Sequence, residues 1–310
     1  MIALSSCLHG DPVRYDGADK RDAWLLDALG RFVEYRPICP EVGIGLGVPR
    51  APIRLVRENG ETRVRGVADP SLDVTDRLQR YAREIVPELA DACGYVFKSR
   101  SPSCGLLAVD RYDRDGQLLD LASGAFAAVI ASQLPALPLE EEGRLANPVL
   151  REHFVARVFA LRRWRDLLAE GPDAARLIAF HTRHKYQLMA HSSAACNRLG
   201  RLLADLSGGD LQPRIAAYGH EFLATLAQPA TRAGQANVLQ HLAGCLNGAV
   251  DRPARAELAD AIERYRRGMV PLLVPIQLLM HHVARHSIDA VAEQSYLNPY
   301  PAGLDLRRDI

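Results

Sequence analysis

Three of the six cysteines occupy the same kind of place in the chain. Cys7 follows the run Ile2-Ala-Leu-Ser-Ser6, and Cys39 follows Phe32-Val-Glu-Tyr-Arg-Pro-Ile38. Cys104 lies in Ser101-Pro-Ser-Cys-Gly105, after Gly94-Tyr-Val-Phe97. Each run reads as a strand that gives way to a loop at the thiol. The small residues, the stiffening Pro and the permissive Gly of the third segment let a backbone bend tightly around something. Three thiolates with no neighbouring histidine or fourth thiolate suit two centres. One is a catalytic zinc with an open position, and the other is an iron–sulfur cluster with one iron free of protein sulfur. Their wide separations match neither a zinc-ribbon pair nor a ferredoxin run, so strand-end placement carries the argument. Cys93, Cys196 and Cys245 lie in helical runs among Ala, Leu and Gly and read as small buried hydrophobes.

The elements that must position these thiols follow from the local patterns. Residues 20–31 place Trp24, Leu25, Ala28 and Leu29 at helical spacing between the first two strands. Residues 53–67 read as a hairpin around Glu58-Asn-Gly-Glu61. A helix is expected over 69–93, with Leu78, Tyr81, Ile85 and Leu89 on one face, and another over 124–134. Strand, helix, strand, helix, strand predicts a three-layer α/β domain with a mainly parallel sheet over residues 1–140. Ligands of such sheets bind beyond the carboxyl ends of the strands, which is where the thiols fall. Glu140-Glu-Glu-Gly-Arg144 reads as a charged, exposed connection. From 147 to 310 an all-α helical domain is expected, with helices near 149–169, 173–205, 211–226, 232–249, 253–267 and 271–286. Its breaks fall at Gly171-Pro172, Ser207-Gly-Gly-Asp210 and Arg252-Pro253, and 295–310 reads as an extended tail.

Composition bounds the function classes. The chain has 310 residues, 48% hydrophobic and 24% charged, which describes an ordinary globular protein with room for two cores. A net charge of +1 names no partner. No apolar run is long enough for a membrane span, and Met1-Ile-Ala-Leu4 lacks the basic start of a secretory signal. A cytoplasmic protein is expected, in which irregularly spaced cysteines are not a disulfide framework. All histidines but His9 lie beyond residue 150, and lysine occurs only at positions 20, 98 and 185.

Taken together, Ser6-Cys-Leu-His-Gly10 with Arg14-Tyr-Asp-Gly17, then Cys39-Pro-Glu41, then Lys98-Ser-Arg-Ser-Pro-Ser-Cys-Gly105 resemble the thiouracil desulfurase family. The resemblance covers roughly residues 1–140, and the ordered occurrence of three motifs makes it specific. His181-Thr-Arg-His-Lys-Tyr-Gln-Leu-Met-Ala-His-Ser192 resembles the signature of a helical domain often fused to such domains. The fused architecture is similar to the bacterial tRNA 4-thiouridine desulfidases. The resemblance implies a 4Fe–4S cluster held by Cys7, Cys39 and Cys104, with Glu41 and Ser101 in catalysis. It implies thiolated tRNA, or a free thiouracil-type small molecule, as the substrate. The contrasting expectation is a non-enzymatic RNA-binding module whose thiols bind zinc or sense redox state.

Taken singly, these residues have plainer readings. Glu41 is a helix-start charge, Ser101 a turn former and Lys98 a strand-end charge. Lys98 and Ser103 are nonetheless expected at the substrate. In the helical half, His181, His184, Leu188 and His191 share one helix face with Lys185 at its edge. That face reads as a metal site, as a polar packing seam, or as a substrate or RNA contact by His181, Arg183, His184 and Lys185, in which Arg183 and Lys185, together with Arg162, Arg163 and Arg165, meet phosphates.

Overall fold

The computed structural model describes residues 1–204 and 211–310, so the expected break at Ser207–Asp210 lies outside the described residues. The chain divides into two compact units, Met1–Asn147 and Pro148–Ile310. No described helix is long and apolar enough to cross a membrane.

The first unit is α/β. Its first sheet takes strands β1 (Ile2–Ser5), β2 (Tyr35–Ile38), β5 (Tyr95–Phe97) and β8 (Leu139–Glu141) in the order β2-β1-β5-β8, all parallel. Ile2, Ala3, Leu4, Tyr95, Val96 and Phe97 are almost wholly buried, as expected of parallel strands covered on both faces. Helix α4 (Ala125–Gln133) brings Phe126 edge-on to Tyr95 and Phe97, at ring separations of 6.3 and 6.5 Å. The registers Ser5 with Ile38, Leu4 with Val96 and Phe97 with Glu141 bring the four carboxyl ends level. The chain leaves β1 for β2 on one side and later returns to β5 on the other. A topological switch point therefore lies between β1 and β5.

A second, mixed sheet was foreseen only in part. Strands β3 (Ile53–Glu58) and β4 (Glu61–Gly66) form the expected hairpin. Asn59 and Gly60 at its tip both take positive φ, 52° and 85°, as a tight two-residue turn requires. Strands β6 (Val109–Tyr112) and β7 (Leu118–Ala122) complete the order β4-β3-β6-β7. Helix α3 (Thr75–Ile85) packs Leu78 against Leu55, Val64 and Val109 of this sheet. It starts later than the sequence suggests, because Asp73 and Thr75 close a turn ahead of it.

Residues 140–142 overturn an expectation. They are not an exposed connection, because Glu140 and Glu141 belong to β8 and are buried. Each carboxylate there has a partner. Glu140 accepts from Arg144 Nε at 2.7 Å, and Glu141 accepts from the amides of Leu106 and Leu107 at 2.6 and 3.2 Å. Buried charges are tolerated when paired in this way.

The second unit is helical. Its helices are α5 (Pro148–Ala169), α6 (Ala174–His191), α7 (Ser193–Ala204), α8 (Leu211–Ala227), α9 (Arg232–Gly244), α10 (Arg252–Arg266), α11 (Leu273–Arg285) and the short α12 (Asp289–Ala292). The expected single helix over 173–205 is two, because Ser192 turns to an extended conformation and its hydroxyl caps α7 through Ala195 N–H at 3.2 Å. The C-terminal stretch is not a free extended tail. Tyr296, Leu297, Tyr300, Leu304 and Leu306 are buried in the unit, and Arg307 pairs with Glu152 of α5 at 3.1 Å.

Candidate active site

All three strand-end thiols line one cavity of about 470 Å³. Cys7 sits in a single helical turn (Ser6–His9) that follows β1 directly. Cys39 precedes helix α2 (Pro40–Gly43), whose opening Pro is compatible with a first turn that needs no amide donor there. Cys104 ends the Lys98–Cys104 loop after β5. Cys7 and Cys104 thus flank the switch point, and Cys39 stands beside them at the end of β2.

The Cys104 loop is tied down from several sides. Ser101 Oγ accepts from the Ser103 and Cys104 amides at 3.3 and 3.1 Å, and Ser101 O accepts from Gly105 N–H at 2.7 Å. The carbonyls of Pro102 and Ser103 accept the first amides of α4, from Ala125, Phe126 and Ala127, at 3.1 Å each. Those amides have no partner within the helix, so the loop and the helix end satisfy each other. The approach is close: a Cβ at Gly124 would meet Ser103 O at 2.6 Å, and one at Gly105 would meet Val109 Cγ2 at 2.2 Å. Glycine is required at both positions for lack of space.

Glu41 is the most constrained acid at this cavity. Arg50 Nε donates to Glu41 Oε2 at 2.7 Å, and the two side chains are only 6% and 12% exposed. On the other oxygen, Ser103 Oγ donates to Glu41 Oε1 at 2.5 Å. Ser101 Oγ lies 2.9 Å from Ser103 Oγ. Ser103 has one proton and gives it to Glu41, so the Ser101 hydroxyl must donate to Ser103. A directed chain, Ser101 to Ser103 to Glu41, therefore runs along the cavity wall. Arg50 is held in turn by the carbonyls of Val13 and Gly47 at 2.9 Å each.

Lys98 lines the same cavity but is not free. Its ammonium bonds Glu142, and it reaches Ser99 Oγ at 3.1 Å. Glu142 also accepts from the Ser99 amide at 2.7 Å and hydroxyl at 2.8 Å. Lys98 N–H donates to Ser5 Oγ at 2.9 Å, joining the loop back to β1. Arg14, Lys20 and Arg100 add basic side chains to the lining.

The donor set bears on the two centres that the cysteines suit. Among the described residues no three His, Cys, Asp or Glu side chains lie close enough to hold a single metal ion. The three thiols line one cavity, and among the described residues no histidine does. Burial raises the Cys7 thiol to about 11 and raises Cys39 and Cys104, and each is raised further by charge on a neighbouring thiol or on Glu41. Thiols of this kind become thiolate ligands where a cationic centre compensates their charge. Thiols without a lining histidine suit a centre held through sulfur.

The other sequence-singled residues disperse. In α6, His184 is buried, stacks on Phe180 at 4.0 Å and bonds Phe180 O through Nδ1 at 2.8 Å. His181 Nδ1 meets Tyr218 OH at 3.1 Å, and His191 Nδ1 meets Gln228 O. That face is a packing seam in this structure. Arg183 is exposed beside Glu293 at 3.4 Å, and Lys185 lies over the Tyr186 ring at 4.8 Å. Cys93 and Cys196 are buried as expected, whereas Cys245 is exposed near Tyr186 OH at 3.6 Å. Its helix α9 ends at Gly244, so Cys245 falls past the buried face.

Sequence reasoning missed Arg50, Glu141 and Glu142. Their roles depend on partners that only the fold brings near, although a triplet of glutamates just beyond an apolar Leu137-Pro-Leu139 was a usable sign.

Each half of the chain matches known proteins. Residues 2–142 match the model of the 2-thiouracil desulfurase family, and residues 185–301 match a family described as a protein of unknown function, DUF1722. The chain is 31% identical over 152 residues to the uncharacterized protein YbgA of Escherichia coli, covering 49% of this chain and 90% of that one. It is 32% identical over 119 residues to the uncharacterized protein YbbK of Bacillus subtilis, covering 34% of this chain and 73% of that one. A solved chain, the 4Fe–4S-dependent thiouracil desulfidase TudS, is 31% identical over 47% of this chain and 92% of its own, with a TM-score of 0.38. Through its first unit the chain belongs to the 2-thiouracil desulfurase family, here joined to a helical region of the DUF1722 kind.

Proposed function

We propose that this chain is an iron–sulfur desulfidase that converts thiolated uracil to uracil, with 4-thiouridine in tRNA as its substrate. The observation that carries the reading is Glu41, held by Arg50 and Ser103 on the wall of the cavity that the three thiols line. Cys7, Cys39 and Cys104 would hold a 4Fe–4S cluster. When bound, such a cluster supplies a soft, Lewis-acidic iron without protein sulfur, to which the departing sulfide can pass.

The chain's own residues supply the rest. Replacing C=S by C=O consumes one water and releases one sulfide, with no net electron transfer. The attacking water must lose a proton, and Glu41 is the carboxylate fixed to take it. Ser103 occupies one lone pair of Oε1 and Arg50 fixes Oε2, so the carboxylate cannot swing away. Ser101 is engaged as donor to Ser103 and as acceptor of two amides. Its role is then to orient Ser103 and to end the proton path. Lys98, bonded to Glu142, keeps the mouth of the loop in place.

The tRNA assignment rests on two supports. A free base needs no phosphate platform, yet exposed Lys20 and Arg100 line the cavity, and Arg183 and Lys185 present further cations on α6. His181 and His184 would shape that helix surface from within. The second reading is a desulfidase of free thiouracil bases, which the name of the matched family favours. Comparing kcat/KM for 4-thiouridine-containing tRNA with that for free 4-thiouracil and 2-thiouracil separates the two. A preference for tRNA that falls steeply with salt supports the first reading. Equal or better turnover of the free base overturns it.

A further inference from the structure

The lining of the thiol cavity carries more positive charge than it matches. Five cations line it, Arg14, Lys20, Arg50, Lys98 and Arg100, against one acid, Glu41. Three of the five are paired: Arg50 with Glu41 at 2.7 Å, Arg14 with Asp16 at 3.5 Å, and Lys98 with Glu142. Lys20 and Arg100 are exposed, and neither has an ion pair or a side-chain hydrogen bond among the described residues.

The backbone of Arg100 is also unusual. Its φ of 61° is left-handed, a region that Gly or Asn enters easily and a long side chain does not. The residues on either side are fixed. Ser99 gives its amide and hydroxyl to Glu142 at 2.7 and 2.8 Å, and Ser101 Oγ accepts from the Ser103 and Cys104 amides at 3.3 and 3.1 Å. Backbone strain that persists between fixed neighbours commonly marks a functional position. Lys20 is anchored through its backbone, where its amide donates to Cys7 O at 2.8 Å. The two cations thus come from the segments that follow β1 and β5, on either side of the switch point.

Two cations without acids on the exposed part of a lining call for an anion, and the forked donors of a guanidinium match the oxygens of a phosphate. An uncharged uracil base offers no such group. The cavity, of about 470 Å³, lies within the ~300–1,000 Å³ of pockets that enclose whole small ligands, and a single pyrimidine ring leaves much of it empty. A nucleotide supplies a base and a phosphate together.

We propose that Arg100, assisted by Lys20, binds the phosphate of the nucleotide whose base enters the thiol cavity. The unit recognised is then a pyrimidine nucleotide, and the bare base is a poorer ligand. This inference rests on the desulfidase reading of the cavity and adds to it the substrate's charged group and the residue that selects it.

Calorimetric titration of the anaerobically prepared full chain with uracil, uridine, uridine 5′-monophosphate and uridine 3′-monophosphate reads binding without turnover. At least one monophosphate should bind roughly tenfold or more tightly than uridine. In Arg100→Asn and Arg100→Gly, both of which accept a positive φ, that advantage should vanish. In Lys20→Gln it should shrink. A short uridine-containing RNA, titrated alongside, separates the two sources of the phosphate. Tighter binding of the RNA with the same dependence on Arg100 assigns a nucleotide within RNA, and tighter binding of the mononucleotide assigns a free one. Equal affinity for uridine and both monophosphates overturns the proposal, and so does a phosphate preference that survives in both Arg100 variants. Sulfide release from 4-thiouridine and its 5′-monophosphate keeps the two readings apart. No release from either, with the Arg100-dependent preference intact, removes the desulfidase reading and leaves the phosphate site. Equal release from both, unaltered in Arg100→Asn, does the reverse.

Discussion

The first unit ties the acids beside its thiols to partners, whereas the helical unit leaves several buried side-chain atoms without one. Around the thiols, Glu41, Arg50, Ser101 and Ser103 are tied to one another, and Lys98, Ser99 and Glu142 form a second closed set. In the helical unit Glu152 is paired with Arg307, yet Gln187 Oε1, Gln235 Oε1 and Tyr296 OH are buried without a hydrogen-bond partner. A closed network spends its hydrogen-bonding capacity on holding side chains still, which is what chemistry at a fixed point requires. The difference teaches that fixed side-chain geometry is concentrated around the thiols.

Breaking the closed network gives the largest expected effect. Glu41→Gln keeps the shape and all three thiols but removes the proton acceptor. Turnover should fall by about 10²–10⁴-fold with iron content unchanged, as measured by sulfide release and metal analysis. Near-normal turnover would move Glu41 out of the chemistry. Arg50→Met next leaves a buried carboxylate without its partner. Breaking such a pair costs about 3–5 kcal/mol, so a clear drop in Tm of the first unit should accompany a loss of turnover. Unaltered stability would show that the pair is not a fixed part of the wall.

Smaller effects sharpen the contrast from the other side. Burial pushes the His184 imidazole down to about 3, so the folded helical unit holds it neutral. Its stabilising contribution is complete above the ordinary histidine range near pH 6.5 and is lost as pH falls below that range towards 3. The slope is about 1.4 kcal/mol per pH unit at most. His184→Phe should flatten the acid limb of the thermal stability curve of the helical unit. An unchanged limb would mean that His184 does not set it. Smallest is Gly60→Ala, outside the lining of the thiol cavity. Alanine at φ 85° should cost about 1–2 kcal/mol of stability by denaturant titration and leave turnover intact.

Much of the first unit was legible in the chain. Short apolar runs that end at Cys7, Cys39 and Cys104 gave strands, and parallel pairing brought their ends level. The Asn59-Gly60 turn announced its hairpin, since few other pairs accept two positive φ values. What stayed hidden depends on distant partners. A run of three glutamates reads as solvated until Leu106, Leu107, Arg144 and Lys98 are found around it. Arg50 carries no local pattern, because its meaning lies in Glu41 and in the carbonyls of Val13 and Gly47. The histidine face of α6 showed its helical spacing but not its role, because spacing cannot distinguish a surface from a seam. The C-terminal stretch, rich in Tyr and Leu, was apolar enough to be buried, yet its two prolines suggested a tail. Orphaned carboxamides have no sequence signature at all.

The central claim is that three strand-end thiols hold one iron–sulfur centre beside Glu41. Its most direct test is the iron and acid-labile sulfide content of anaerobically prepared full chain, with Cys104→Ala and exposed Cys245→Ala alongside. The account predicts about four of each per chain in the wild type and in Cys245→Ala, and their loss in Cys104→Ala. Stoichiometric zinc, or iron and sulfide that persist in Cys104→Ala, would contradict it.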